Sequence, residues 1–234
     1  MRQKARKNRR HGKRIVLTLL VLILTISAVL AVANQTVLQD FLHFNASVAS
    51  IEHGWNLILV NGEYKIPKDW KVELTELSNG QSVDSRIYPD LQQMFDDMRT
   101  QGVYPVVASG YRTAKKQQEL MDEKVNSFLA QGYSKSEAKS EAKKWVAGVG
   151  YSEHQTGLAV DINADGVNSS GQQVYAWLAD NAWKYGFILR YPEDKTEITK
   201  TDYEPWHYRY VGKEAAKEIY ESGLCLEEYI GMMN

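Results

Sequence analysis

Two short motifs constrain this chain more than anything else in it: His154-x6-Asp161 and Glu204-x-x-His207. Any fold must gather two imidazoles and two carboxylates from segments that otherwise read as strand-like and aromatic. The apolar run Leu158-Ala159-Val160 breaks into Asp161, and a carboxylate ending a buried strand is costly unless it is paired or bound to a metal. Glu204 and His207 flank Pro205-Trp206, and in an extended segment that begins at a proline both side chains can turn toward one cleft. The chain has five histidines, and these are the only two beyond His53. Two neutral imidazoles and one carboxylate make a three-ligand catalytic zinc site with an open fourth position for water, and the second carboxylate is left as a general base. A single His or Asp at a strand end is more often a hydrogen-bonding residue. The constellation, not any one member, points to metal-assisted hydrolysis.

A competing ion site is visible. Asp161-Ile162-Asn163-Ala164-Asp165-Gly166 matches the first half of a calcium loop, but Gln172 stands where the closing Glu belongs. The stretch from Asn163 to Gly166 is better read as a turn.

Residues 1–14 hold eight Lys or Arg and no acid, and Ile15 to Ala33 follows as nineteen uncharged, largely aliphatic residues. A run near the ~20 residues needed to cross a bilayer, behind a basic flank that stays cytoplasmic, places the remainder outside the membrane. Two readings stand: an uncleaved single-pass anchor, or a signal peptide cut after Ala31-Val32-Ala33 and a secreted product. Beyond this block 20 basic residues face 29 acidic ones, a charge of about −9, which excludes a nucleic-acid-binding face. Cys225 is the only cysteine, so the fold has no intramolecular disulfide and relies on its core and a bound metal.

The expected organisation is a basic tail at 1–14, the apolar segment at 15–33, a tether at 34–54 carrying His43 and an exposed His53, and one domain over 55–234. Asn61-Gly62 within WNLILVNGEYKIP predicts a hairpin over 55–67. Ile87 to Thr100 carries apolar residues at helical spacing up to Gly102, and Val103 to Ala108 reads as a strand. A polar helix spans 113–130, and Ser134-x-x-Glu137 opens a second one that reaches about residue 147. Strands are expected over 157–162, 187–191 and 206–211, with helices over 172–185 and 213–222. Without a βαβ rhythm or a phosphate loop, the pattern is α+β, a mainly antiparallel sheet flanked by helices. Of the aromatics near the motifs, Tyr111, Tyr208 and Tyr210 are read as packing residues, and Trp206 as a wall of a pocket.

Ser-x-His-x-x-Gly-x-Ala-x-Asp at Ser152 to Asp161, Glu-x-x-His at Glu204 to His207, and Ser109-Gly110-Tyr111-Arg112 upstream resemble the VanY-type D-alanyl-D-alanine carboxypeptidases, zinc peptidases of the peptidoglycan. The resemblance covers roughly residues 55–230. It implies that His154, Asp161 and His207 hold zinc, that Glu204 is the catalytic base, and that Arg112 faces the scissile carbonyl oxygen. Ser152 and Gln117 become substrate contacts. Many relatives continue with Ser-Tyr-x-x-Gln after the arginine; Thr113-Ala114 stand here while Gln117 is kept, so the pocket departs from the pattern.

The implied activity removes the terminal D-alanine from stem peptides, D,D on a pentapeptide or L,D on a tetrapeptide, and the anchored architecture leans toward the L,D form. Alternatives are an endopeptidase or D-Ala-D-Ala dipeptidase of the same group, or a peptidoglycan-binding module without turnover. A dipeptidase would act in the cytoplasm, and a binder would need neither Glu204 nor Arg112. Motifs leave the oligomeric state open.

Overall fold

The computed structural model of the protein describes residues 47–233; the basic tail, the apolar segment and the tether up to residue 46, with His43, lie outside them. Among the described residues no helix is long and apolar enough to cross a membrane.

Two small strand pairs precede the main sheet. β1 (Ser47–Val48) pairs in parallel with β2 (Tyr64–Lys65), and β3 (Leu74–Glu76) pairs antiparallel with β4 (Ser82–Asp84). The end of the predicted tether is thus packed on the domain, with Ala49 buried and His53 half-buried rather than exposed. The hairpin expected over 55–67 does not form. Trp55–Leu57 winds into a 3-10 turn, and Leu57, Ile58 and Val60 all enter the core. The Asn61 carboxamide oxygen accepts the N–H groups of Glu63 and Tyr64, so the Asn-Gly signal makes a side-chain-closed turn without a ladder.

The main sheet is antiparallel, in the order β5 (Pro105–Ser109), β6 (Ala159–Ala164), β8 (His207–Tyr210), β7 (Phe187–Leu189). Central β6 buries Ala159, Val160 and Ile162, which explains the apolar residues on either side of Asp161. Asp161 does not end this strand; it continues to Ala164 because Pro105 and Val106 of β5 pair with Ala164 and Asn163. The turn begins only at Asp165, whose carboxylate accepts the Asn168 side-chain amide and the N–H groups of Val167, Asn168 and Ser169 and is thereby lowered in pKa.

Helix α1 (Tyr88–Thr100) lays Leu91, Met94, Phe95 and Met98 on the sheet, an i, i+3, i+4, i+7 stripe worth about 1.5–3 kcal/mol for each side chain fully buried. α2 (Ala114–Ala130) starts at Thr113, whose hydroxyl caps the Lys116 N–H. α3 (Lys135–Ala142) opens with the predicted Ser134–Glu137 capping box but stops short of 147, in turns at Lys144 to Val146. α4 (Gly171–Asn181) gives way to a 3-10 turn over Ala182–Tyr185, so the helix predicted to Tyr185 tightens in its last turn. α5 (Thr196–Thr199), α6 (Lys213–Ser222) and α7 (Leu226–Met233) complete the chain. The sheet and α1 enclose the larger core; α6 and α7 form a second one with Leu57, Ile188 and Val211.

Candidate active site

Strand register assembles the site. Asp161 stands opposite His207 on β8 and opposite Ser109 on β5, next to an irregularity between Val107 and Ser109. The third ligand candidate comes from a 3-10 turn over Glu153–Thr156, placed by the His154 carbonyl accepting the Arg112 N–H at 3.0 Å. Glu204 and His207 are joined by a tight turn rather than an extended segment: the His207 N–H bonds the Glu204 carbonyl at 3.1 Å. That turn brings a Glu204 carboxylate oxygen within 3.7 Å of His207 Nδ1.

Two glycines make these turns possible. A Cβ at Gly110 would collide with the Ser82 carbonyl, which already accepts the Tyr111 N–H. Gly157 takes φ +78° beside Val72 and Asp84, and its carbonyl accepts the Asp84 N–H. The β3–β4 hairpin, absent from the sequence reading, is what presses on both.

Each imidazole has one nitrogen held from behind. His154 Nδ1 lies 2.9 Å from the Gly110 carbonyl, leaving Nε2 toward Asp161 at 3.3 Å. His207 Nε2 lies 3.5 Å from Glu153, leaving Nδ1 toward Asp161 at 2.9 Å. Ligand atoms of His154, Asp161 and His207 all fall within 4.8 Å of one another, with the two histidines buried. Two oriented imidazoles, each bonded at its far nitrogen, plus one carboxylate suit zinc.

Electrostatics support that use. Burial alone would raise the Asp161 carboxyl, but His154 and His207 hold it well below the usual carboxylate range. Burial lowers His154, keeping it neutral. Burial also opposes protonation of His207, yet hydrogen bonds to Asp161 and Glu153 push it up to about 9, so a metal there displaces a proton. Glu204 is raised above an ordinary glutamate, chiefly by burial, with His207 and Arg112 opposing and Asp161 adding to the shift. Arg112 donates from Nε to Ser109 Oγ at 2.9 Å and from Nη2 to Asp161 at 3.0 Å, which fixes its fork at the metal group.

A cleft of about 590 Å³ opens onto these side chains. Ser152, Gln117 and Trp206 all line it. Gln117 is buried, its Nε2 donating to the Ala147 carbonyl at 2.7 Å. Trp206 is partly exposed, while Tyr208 and Tyr210 are core residues as expected.

The sequence reading missed the support behind His207. Glu153 is fully buried and accepts from Arg190 Nε at 2.7 Å and from Arg209 Nη1 at 2.9 Å. Arg190 also forks onto Glu227 of α7 at 2.8 and 2.6 Å. Burial would raise Glu153, but the two guanidiniums hold it far below the carboxylate range. One sign was legible: Arg209 interrupts a strand of aromatic residues, where a charge needs a buried partner.

Residues 80–213 match the VanY family, described as D-alanyl-D-alanine carboxypeptidase. A D-alanyl-D-alanine carboxypeptidase of Enterococcus faecalis is 62% identical over 179 residues, covering 76% of this chain and 67% of that protein. Another, of Enterococcus faecium, is 35% identical, and the match covers 57% of its length. The chain thus spans about two thirds or less of these relatives. A solved structure of VanYB in complex with D-alanine-D-alanine is 60% identical with a TM-score of 0.74, covering 77% of this chain and 99% of that one. The LdcB LD-carboxypeptidase is 37% identical with a TM-score of 0.61, covering 74% and 84%. The antiparallel sheet and its flanking helices agree with those likenesses in fold, and the chain belongs to the VanY D-alanyl-D-alanine carboxypeptidase family.

Proposed function

We propose that the protein is a zinc-dependent carboxypeptidase that removes the terminal D-alanine from peptidoglycan stem peptides, acting D,D on the pentapeptide. One observation carries the reading: His154, Asp161, His207, Glu204 and Arg112 meet in a single cleft large enough for a peptide. Zinc held by His154 Nε2, Asp161 and His207 Nδ1 would supply Lewis acidity toward the scissile carbonyl and an acidified water. Glu204, with its raised pKa, takes the proton of the attacking water and hands it to the departing amine. Arg112, held between Ser109 and Asp161, presents its guanidinium to the charge that develops on the carbonyl oxygen.

The D,D preference rests on similarity. A vancomycin-resistance D,D-pentapeptidase structure solved with Zn(II) is 61% identical, against 35–37% for L,D-carboxypeptidases. That ranking displaces the lean toward a tetrapeptide substrate drawn from the anchored architecture. The basic block at 1–14 and the apolar run at 15–33 support display on the outer face of the cell membrane, or release after Ala33.

The test is mass spectrometry of synthetic tetra- and pentapeptides incubated with the zinc-loaded full chain, with and without chelator. Loss of one alanine from the pentapeptide, abolished by chelator and by Glu204→Gln, is expected. Faster shortening of the tetrapeptide would overturn the D,D assignment, and no mass change on either would overturn the carboxypeptidase. Hydrolysis by Glu204→Gln at the wild-type rate would remove the proposed base.

A further inference from the structure

The cleft has more room than the chemistry requires. Its volume of about 590 Å³ lies in the range of roughly 300–1,000 Å³ that encloses drug-sized ligands, well beyond an alanine dipeptide. One end is the metal group with Glu204 and Arg112. The other is built by the α2–α3 hairpin and the turns after it, where Lys124, Lys143, Lys144 and Trp145 line the wall.

Charge distinguishes the two ends. Beyond the basic N-terminal block the chain carries about −9, so a positive stretch needs a reason. At the metal end Glu153 and Asp161 are taken up by Arg190, Arg209, Arg112 and the histidines. At the far end Glu123 is the acid among the lining residues, set against three lysines. Lys144 pairs with Glu141 at 2.7 Å, and the Lys124 ammonium sits 4.3 Å over the Trp145 ring. Lys143 lies within 4.0 Å of no carboxylate among the described residues, and Trp145 is 64% exposed at the mouth.

A second observation points to a ligand independently of charge. Gln117 Oε1 is the one buried side-chain N or O without a hydrogen-bond partner among the described residues, and Gln117 lines this cleft. Its Nε2 is spent on the Ala147 carbonyl, so the amide is oriented and its oxygen needs a donor. A buried acceptor left unmet is destabilising. A peptide N–H is the natural donor in a peptide-binding cleft.

We propose that the lysine end of the cleft is an anion subsite for a carboxylate borne by the substrate upstream of the scissile bond, with Lys143 its principal contact and Gln117 Oε1 accepting a substrate backbone N–H. The assignment rests on the carboxypeptidase reading and adds a selection rule to it. The enzyme takes acidic stem peptides in preference to the same peptides with that carboxylate amidated, and it works poorly on the free dipeptide.

The test uses the zinc-loaded full chain and matched peptides ending in D-Ala-D-Ala, with glutamate or glutamine placed in turn at each residue before the scissile bond. At one position the acidic peptide should show about fivefold higher kcat/KM, carried mainly by KM, and the advantage should shrink as salt rises. The double variant Lys143→Gln/Lys144→Gln should bring that ratio close to one. Equal rates on both peptides at every position overturn the subsite, as does a preference that survives in the double variant.

If the wild type hydrolyses neither peptide, the carboxypeptidase reading has failed. Calorimetric binding of the same pairs to the zinc-loaded Glu204→Gln protein then decides the subsite alone. Tighter binding of the acidic member supports it and equal affinities refute it. Lysine-dependent binding to anionic lipid vesicles with no peptide preference would assign the patch to a membrane surface and overturn the proposal.

Discussion

Replacing Glu153 by Gln keeps the shape of the side chain and removes one buried charge. Arg190 and Arg209 are both fully buried, and Glu153 is the carboxylate they share. Arg190 would retain Glu227, but Arg209 would keep only neutral acceptors, the new amide oxygen and the carbonyls of Asn56, Ile58 and Tyr210. Breaking a buried ion pair from one side costs about 3–5 kcal/mol, because the remaining charge stays desolvated. At roughly 2–4 °C per kcal/mol for a domain of this size, Tm should fall by about 6–20 °C. The same change weakens the acceptor behind His207 Nε2, and losing such support typically costs ~10–100-fold in metal affinity. Scanning calorimetry of the apo and zinc-loaded forms reads the first effect, and competition with a chromophoric chelator reads the second. A Glu153→Gln protein within about 2 °C of wild type, with unchanged zinc affinity, would refute the idea that this carboxylate holds the arginine pair and the ligand.

Arg112→Lys keeps the charge but loses the fork between Ser109 and Asp161; kcat should fall by about 10²-fold while zinc content, measured by atomic absorption, is retained. Zinc affinity should rise with pH up to about 9, because His207 in the apoprotein binds a proton that the metal must displace; titration calorimetry in two buffers should find about one proton released near neutrality. The apoprotein should show the opposite trend. The folded pKa of His207 is raised, so its contribution to stability is fully present below the unfolded value of about 6.5 and is lost as pH rises toward 9, which urea titrations at several pH values can follow.

The candidate constellation was readable because its chemistry is rare in strands. Asp161 inside an apolar run and a histidine three residues from a glutamate have few structural uses together, and the antiparallel register puts Asp161 and His207 face to face. Elements with a cap or an apolar stripe were equally plain: the Ser134–Glu137 box and the stripe on α1 sit where spacing put them. What stayed hidden depends on partners far along the chain. Asn61-Gly62 carries a hairpin signal, yet the residues before it are drawn into the core and β2 pairs with Ser47–Val48 instead. Glu153 reads as one more polar residue in a loop until Arg190, thirty-seven positions away, and Arg209, fifty-six away, are seen to converge on it. The β3–β4 hairpin escaped because its strands are only three residues long, show little alternation and give the core a single buried side chain, Val83, beside their contacts with the site turns.

The hairpin pressed against Gly110 and Gly157 backs the turns that carry Arg112 and His154 without itself lining the cleft. A Cβ at Gly110 would meet the Ser82 carbonyl, and one at Gly157, already at φ +78°, would meet Val72 and Asp84, so a change at either glycine disrupts those turns instead of adjusting them. The facing side is formed by side chains of α2, the turns after α3 and the stretch from Tyr191 to Thr201, many of them reaching in from exposed positions. Substitutions that retune the cleft without breaking its turns are therefore expected on that facing side. Relatives that share every metal-binding residue can come to cut different peptides by remodelling that one bank alone.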